Sequence, residues 1–180
     1  MTDKQIVTAV IAGEPSAYRA IVERYQQPLV RYIAYLIHDA DLTDDVVQDT
    51  FIKAYKNLRG FRLDAKFSSW LYRIAHNTAM DAVKHQHLSI DDLPARNEPV
   101  SQDLDIAALV DQHIAAKDVA ACLTKLPLKY REAIALFYLR EASYSEISDI
   151  LHISVSGVGV RINRAKTMLR SICKARGVHQ

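Results

Sequence analysis

Apolar side chains recur at three- and four-residue intervals along almost the whole chain, and no sustained period-two alternation appears. This regularity is the strongest constraint on the fold, because a stripe on a 3.6-residue helix is buried by packing it against other elements. The expectation is an all-α protein. With 180 residues, 49% of them hydrophobic, the chain can bury a real core and fits one large domain or two small ones joined by a linker.

Glycine and proline divide the pattern. Ile6, Val7, Val10 and Ile11 form a short apolar face that stops at Gly13, and Pro15 opens a second helix bearing Tyr18, Ile21, Val22 and Tyr25. Pro28 starts or kinks a third segment. Asp41 is placed to cap the next helix, whose stripe is Val47, Phe51, Ala54, Tyr55 and Leu58, and Gly60 ends it. After the polar stretch Arg62 to Lys66, a helix from about Ser68 to His85 offers Leu71, Ile74, Ala75 and Val83 to a core. A helix from about Ile106 to Lys125 follows later, then a break at Pro127 and a helical run from Tyr130 to Arg140. Ser143 with Glu146 three residues on reads as a capping box before Ile147, Ile150 and Leu151. His152-Ile153-Ser154 is a turn into a last helix with the stripe Val155, Val158, Ile162, Ala165 and Leu169. A short helix, a three-residue turn and a long helix make a helix-turn-helix unit.

Charge divides the chain differently. Residues 1–90 are near neutral at +1, residues 91–120 carry −5, and residues 121–180 carry +6. Between Ile90 and Asp105, Asp91, Asp92, Pro94, Glu98, Pro99, Asp103 and Asp105 accompany few bulky apolar residues, which reads as a flexible acidic linker. The expected organisation is therefore a domain over residues 1–89, a linker over 90–105 and a second domain over 106–180.

Several functional classes drop out. The longest apolar stretch, Leu29 to Ile37, contains Arg31 and is far shorter than the roughly 18 residues of a membrane span. No basic start followed by an apolar run suggests secretion, so a cytoplasmic location is expected. Cys122 and Cys173 belong to no C-x-x-C pair and read as reduced packing cysteines. His85 and His87 lack partners at ligand spacing, so neither a metal nor another cofactor is expected. No nucleophile and base pair and no glycine-rich phosphate loop speak for an enzyme, and no catalytic residue is nominated.

What remains points to nucleic acid. The final helix carries Arg161, Arg164, Lys166, Arg170, Lys174 and Arg176 with no acidic residue from Asn163 onward, a surface suited to phosphates. The first turns of such a helix are what a helix-turn-helix unit presents to the major groove. In the first half, Phe61, Phe67, Trp70 and Tyr72 lie among Arg59, Arg62, Lys66 and Arg73. Aromatic faces between cations hold unstacked single-stranded bases, at roughly 1 to 3 kcal/mol per base. Taken alone, these aromatics fit a core better than a base-binding surface; the polar loop Gly60 to Phe67 shifts the balance toward a base-capturing element.

Two runs carry a family resemblance. DLTDDVVQDTFIKAYKNLRGFRLDAKFSSWLYRIAHNTAMDAVKH, Asp41 to His85, resembles conserved region 2 of the extracytoplasmic-function sigma factors of bacterial RNA polymerase. LTKLPLKYREAIALFYLREASYSEISDILHISVSGVGVRINRAKTMLR, Leu123 to Arg170, resembles their region 4. The resemblance implies that the helix Asp44 to Leu58 docks on the polymerase clamp helices, with Asp45, Gln48, Asp49 and Phe51 as contacts and Gln48 and Phe51 on its exposed edge. It implies that the loop Gly60 to Phe67 captures a flipped base of the minus ten element and that the helix Ser68 to Lys84 lines the melted strand. Arg59, Phe61, Lys66, Phe67, Ser69, Trp70, Arg73, Asn77 and Lys84 are the corresponding DNA-binding residues. Tyr144, Ser145, Ser156, Arg161, Asn163, Arg164 and Lys166 are their counterparts for the minus thirty-five element. The implied partners are core RNA polymerase, through the beta-prime clamp helices and the beta flap, promoter DNA, and an anti-sigma factor. The acidic linker matches the segment that threads toward the polymerase active site and RNA exit channel.

The chain departs from the family where Gly159 and Val160 stand in place of a basic and a small polar residue, both expected to face DNA. Gly157 and Gly159 also sit inside the helix, at up to about 1 kcal/mol each relative to alanine. An altered or weakened minus thirty-five preference is expected. The competing reading, a stand-alone helix-turn-helix regulator binding duplex DNA without polymerase, leaves the aromatic and cationic first domain without a task.

Overall fold

A computed structural model describes residues 1–86 and 122–175. All regular structure among these residues is helical, and it falls into two units, described separately. The expected linker, most of the helix from Ile106 to Lys125 and the domain boundaries lie outside the described residues.

The first unit holds α1 (Asp3–Ile11), α2 (Arg19–Ile37), α3 (Ala40–Asn57) and α4 (Phe67–Gln86). Thr2 and Gln5 form a reciprocal capping box at the start of α1. Gly13 adopts φ 107°, a left-handed conformation that a side chain disfavours, and turns the chain into a single 3-10 turn, Pro15–Tyr18, that leads directly into α2. Pro28 neither starts nor ends a helix: α2 runs through it. Proline removes one intrahelical bond there, and burial of Leu29, Tyr32, Ile33 and Leu36 on the following turns outweighs the loss. His38, with φ 61°, closes α2, and Asp39 rather than Asp41 caps α3, its carboxylate accepting from the Leu42 amide at 3.0 Å. Asp41 lies in the first turn, where its charge favours the helix dipole.

α3 packs against both α2 and α4. The buried set includes Ile21, Leu29, Ile33, Val46, Val47, Phe51, Ala54, Leu58, Leu71 and Ala75, with Ile6 and Val7 from α1. Three buried polar side chains of the core are partnered: Tyr32 Oη lies 3.2 Å from His76 Nδ1, the Thr50 hydroxyl donates to the Val46 carbonyl at 2.7 Å, and the Tyr18 hydroxyl donates to the Phe51 carbonyl at 2.9 Å. Burial raises the Tyr18 hydroxyl's pKa, so it remains a donor.

The second unit holds α5 (Leu128–Leu139), the first residues of α6 (Tyr144–Leu151), and α7 (Val155–Ala175). Cys122, Leu126, Tyr130 and Ile134 recur at every fourth position and pack on Ala165 and Leu169 of α7. The anticipated capping box is present: the Ser143 amide donates to Glu146 Oε2 at 2.9 Å and the Glu146 amide to Ser143 Oγ at 3.3 Å. His152 takes φ 53° in the turn, and Ser154 caps α7 by accepting from the Gly157 amide at 3.1 Å. The inward stripe of α7 is Val158, Ile162, Ala165 and Leu169. Val155, expected in that stripe, is exposed. It lies three residues before Val158, but the helix begins there and no preceding turn covers it.

Candidate nucleic-acid and polymerase interfaces

Three surfaces carry the nominated residues. On α3, Asp45, Gln48 and Asp49 are exposed, but Phe51 is only 8% exposed and belongs to the core. Its expected place on the exposed edge is corrected by the stripe itself. A helix that buries Val47, Phe51, Ala54 and Leu58 turns residue 52 outward. Ile52, 50% exposed, and Tyr55, 44% exposed, therefore continue the face of Asp45 and Gln48. Tyr55, expected within the buried stripe, instead meets Tyr18 edge-on at 5.0 Å. Ile52 was missed although the signal was there: a bulky apolar residue outside the stripe.

The second surface is the segment between α3 and α4. Phe61 and Phe67 flank it and are 7% and 4% exposed. Their rings meet edge to face at 5.4 Å, and the Trp70 ring lies 5.1 Å from Phe61 and 5.5 Å from Phe67. The two phenylalanines thus hold the ends of the loop together, and little of either ring, nominated for contact with bases, lies open at the surface. Trp70 is half-buried and keeps part of its surface open. Between the rings, Arg62, Leu63, Asp64, Ala65 and Lys66 are all exposed. Arg62 forks onto Asp64 at 3.2 and 2.7 Å, and the Ala65 amide donates to the Arg62 carbonyl at 3.0 Å. The Arg62 hydrogen bond holds the Asp64 carboxyl below its ordinary value. Arg59 is exposed, and Trp70, Arg73, Asn77 and Lys84 follow helical spacing along one side of α4. Arg73 is half-buried, and its Nε has no hydrogen-bond partner. Ser69 and Tyr72 are buried and contribute no open surface.

The third surface is α7. Ser156, Val160, Asn163, Thr167 and Arg170 are exposed at alternating spacings of four and three, forming the outward face of this helix. Val160 sits in the middle of that face. Gly159 lies to one side, where a Cβ would come within 3.6 Å of the Tyr144 ring. Of the two departures from the family, only Val160 replaces a residue at the centre of the open face. Ser145 is exposed and Tyr144 half-buried. Arg161 is turned inward: it forms an ion pair with Glu132 of α5 and donates to the Lys129 carbonyl at 3.4 Å. This ion pair occupies the guanidinium that the resemblance assigns to the minus thirty-five element. The arginine one turn before Ala165 lies next to the inward stripe, so the nearest buried carboxylate captures it. Lys166 lies over the rings of Phe137 and Tyr138, with its ammonium 5.7 and 6.0 Å from their centroids.

Burial pushes the Glu132 carboxyl above its ordinary range, and the opposing attraction of Arg161 does not cancel that rise. A carboxyl with a folded value above its unfolded one binds protons preferentially in the native state. The stability it confers is lost as pH rises through the folded value and is complete below the unfolded value of about 4.3. Lowering the pH from neutral should therefore favour the second unit in the wild type more than in Glu132→Gln. Denaturant midpoints of both proteins across that range test this, and parallel profiles would contradict it.

Among the described residues, no helix is long and apolar enough to cross a membrane, and no three His, Cys, Asp or Glu side chains are placed to hold a metal.

Comparison with known proteins coincides with this division. Residues 21–88 match the family model for sigma-70 region 2, and residues 116–169 match that for sigma-70 region 4. The chain is 32% identical over 179 residues to the ECF RNA polymerase sigma factor SigW of Bacillus subtilis, covering 94% of this chain and 96% of that protein. Among solved structures, CnrH in complex with the cytosolic domain of CnrY superposes with a TM-score of 0.73 at 28% identity, covering 96% of this chain and 97% of CnrH. The sigma factor RpoE of Bartonella quintana, solved with the anti-sigma factor NepR, shares the fold with a TM-score of 0.69 at 22% identity, covering 87% of this chain and 96% of that one.

Proposed function

The chain belongs to the extracytoplasmic-function sigma factors of the sigma-70 family, and on that premise we propose how its residues divide the work. The protein directs promoter-specific transcription initiation by RNA polymerase. In the proposed division, the first domain, residues 1–89, docks on the beta-prime clamp helices through Asp45, Gln48, Asp49, Ile52 and Tyr55. It melts the minus ten element with the loop 61–66 and the exposed side of α4. The second domain, residues 106–180, meets the beta flap and places α7 on the minus thirty-five element. An acidic linker over 90–105 joins the two. The observation that carries this reading is the base of the loop: three packed rings hold together the ends of a short exposed segment bearing Arg62 and Lys66.

Docking is tested by replacing Gln48, Ile52 and Tyr55 with alanine together. Each is exposed, so the fold should survive, while association with core polymerase in a pull-down should fall severely, since central apolar contacts commonly cost more than 1 kcal/mol each. Undiminished capture of core polymerase would remove this face from consideration.

For the upstream element, Ser145, Ser156, Asn163 and Arg164 are the proposed contacts, with Tyr144 at the edge. Val160 leaves the centre of the face without charge or hydrogen-bonding groups, so base readout rests on few side chains and phosphate contact carries more of the binding. Val160→Arg should steepen the salt dependence of holoenzyme binding by about one unit of slope, because one more phosphate is neutralised. Arg161→Ala should leave the slope unchanged, since that guanidinium is held by Glu132. A reduced slope in the Arg161 variant would show that it reaches DNA after all.

An anti-sigma factor is the further partner proposed, as the family resemblance implies; the similar CnrH was solved bound to another protein, the cytosolic domain of CnrY. A cytoplasmic location is proposed with it, because the action proposed is on promoter DNA together with RNA polymerase.

A further inference from the structure

We infer that Asp3 and Tyr25 are positioning residues for promoter opening, acting through Phe67 to hold the loop 61–66 in its capturing geometry. The inference rests on the reading of that loop given above and extends it to α1, a helix outside both matched family regions.

The Tyr25 hydroxyl donates to Asp3 Oδ2 at 2.6 Å, and Arg24 forms an ion pair with the other Asp3 oxygen while donating to the Met1 carbonyl at 2.8 Å. One carboxylate in the first turn of α1 thus fixes two consecutive side chains of α2. The Tyr25 ring continues the chain of contacts, lying 5.9 Å from the Phe67 ring at 60°. Phe67 is the first residue of α4 and half of the pair that holds the loop's ends together. The path from Asp3 to the loop is therefore one charge-assisted hydrogen bond and two ring contacts, with no flexible side chain between them.

Two further observations place α1 beside the same loop. It packs on the 3-10 turn Leu58–Gly60, which leads into Phe61. The charge of Lys4 is also felt at Asp64, whose carboxyl it helps to hold below the ordinary value. α1 thus abuts the loop's entrance, reaches its exit through Tyr25 and Phe67, and influences its exposed middle. Its own buried residues, Ile6 and Val7, explain why it packs; they do not explain a buttress aimed at both ends of a loop.

A loop that must receive an extruded base gains from rigidity, because any ordering left until the base arrives subtracts from the energy available to hold it. The Asp3–Tyr25 bond completes that ordering beforehand.

The experiment uses full-length chain in holoenzyme on a promoter fragment, reading core binding, closed-complex formation and permanganate reactivity of the melted thymines. Tyr25→Phe keeps the ring on Phe67 and removes only the hydroxyl; Asp3→Asn removes the charge. Each should lower the open-to-closed ratio about fivefold, at the low end of ordinary coupling between sites, with the other two readouts unchanged. The double variant should be no worse than either single one, as for residues acting in one path. Tyr32→Phe, which loses the contact to His76 in the core away from the loop, is the stability control. If Tyr32→Phe lowers opening as much at equal loss of thermal stability, or if the two losses simply add, the positioning role is overturned. Deleting residues 63–65 separates the failures. If deletion abolishes opening and the Asp3 and Tyr25 variants open normally, only the positioning role falls. If the deletion variant itself opens normally, the capture reading falls and the positioning role with it.

Discussion

Removing residues 63–65 is expected to abolish promoter melting while leaving closed-complex binding intact. The rings of Phe61 and Phe67 would still meet, because the deletion takes only exposed residues from between them, and Trp70 would still cover both. What disappears is the surface that repays the extrusion of a base. Unstacking a base costs a few kcal/mol, so a holoenzyme without the pocket should lose on the order of a hundredfold in the open-to-closed ratio. Permanganate footprinting would then show no reactive thymines in the minus ten region, although the complex still shifts on a native gel. Normal reactivity from a variant with an unchanged circular dichroism spectrum would mean that the aromatic cluster is only core and that melting is organised elsewhere.

The second large effect concerns Phe51. Truncation to alanine empties a site between α3 and its neighbours, and Phe→Ala in a core costs about 3–5 kcal/mol, a large share of the roughly 5–15 kcal/mol that holds a typical domain. Phe51→Ala should therefore unfold much of the first unit near physiological temperature, and any loss of polymerase binding would follow from unfolding. Phe51→Leu, which keeps most of the volume, should retain both fold and docking. Thermal melts followed by circular dichroism, with core capture measured below the melting temperature, separate the two explanations. A Phe51→Ala protein that melts like the wild type but fails to bind core would return this side chain to the interface.

The helices were legible because each buries a stripe whose period is unmistakable, and the box at Ser143 and Glu146 was legible because its two bonds are local. What the sequence left hidden depends on neighbours distant along the chain. Phe51 satisfied both a buried stripe and a family contact, and only the packing of α3 on α2 and α4 decides between them. Pro28 looks like a break in any local reading; burial of the turns after it keeps α2 whole. Arg161 belongs by position to a basic DNA-reading helix, yet a carboxylate 29 residues earlier claims it. Asp39 and Asp41 flank the same helix start, and which of them caps it depends on how α2 ends at the left-handed His38.

The ion pair between Glu132 and Arg161 has a consequence for changing promoter choice by exchanging recognition helices between relatives. A transplanted α7 that lacks an arginine at position 161 would leave a carboxylate stranded against α5, a change far more disruptive than any alteration of base contacts. Conversely, a helix that brings its own arginine into a host without the acid would leave a cation with nowhere to go. The exchangeable module is therefore not the helix alone. It is the helix together with the residue on α5 that receives it, and the outward residues at 156, 160 and 163 are free to vary only while that seat is kept.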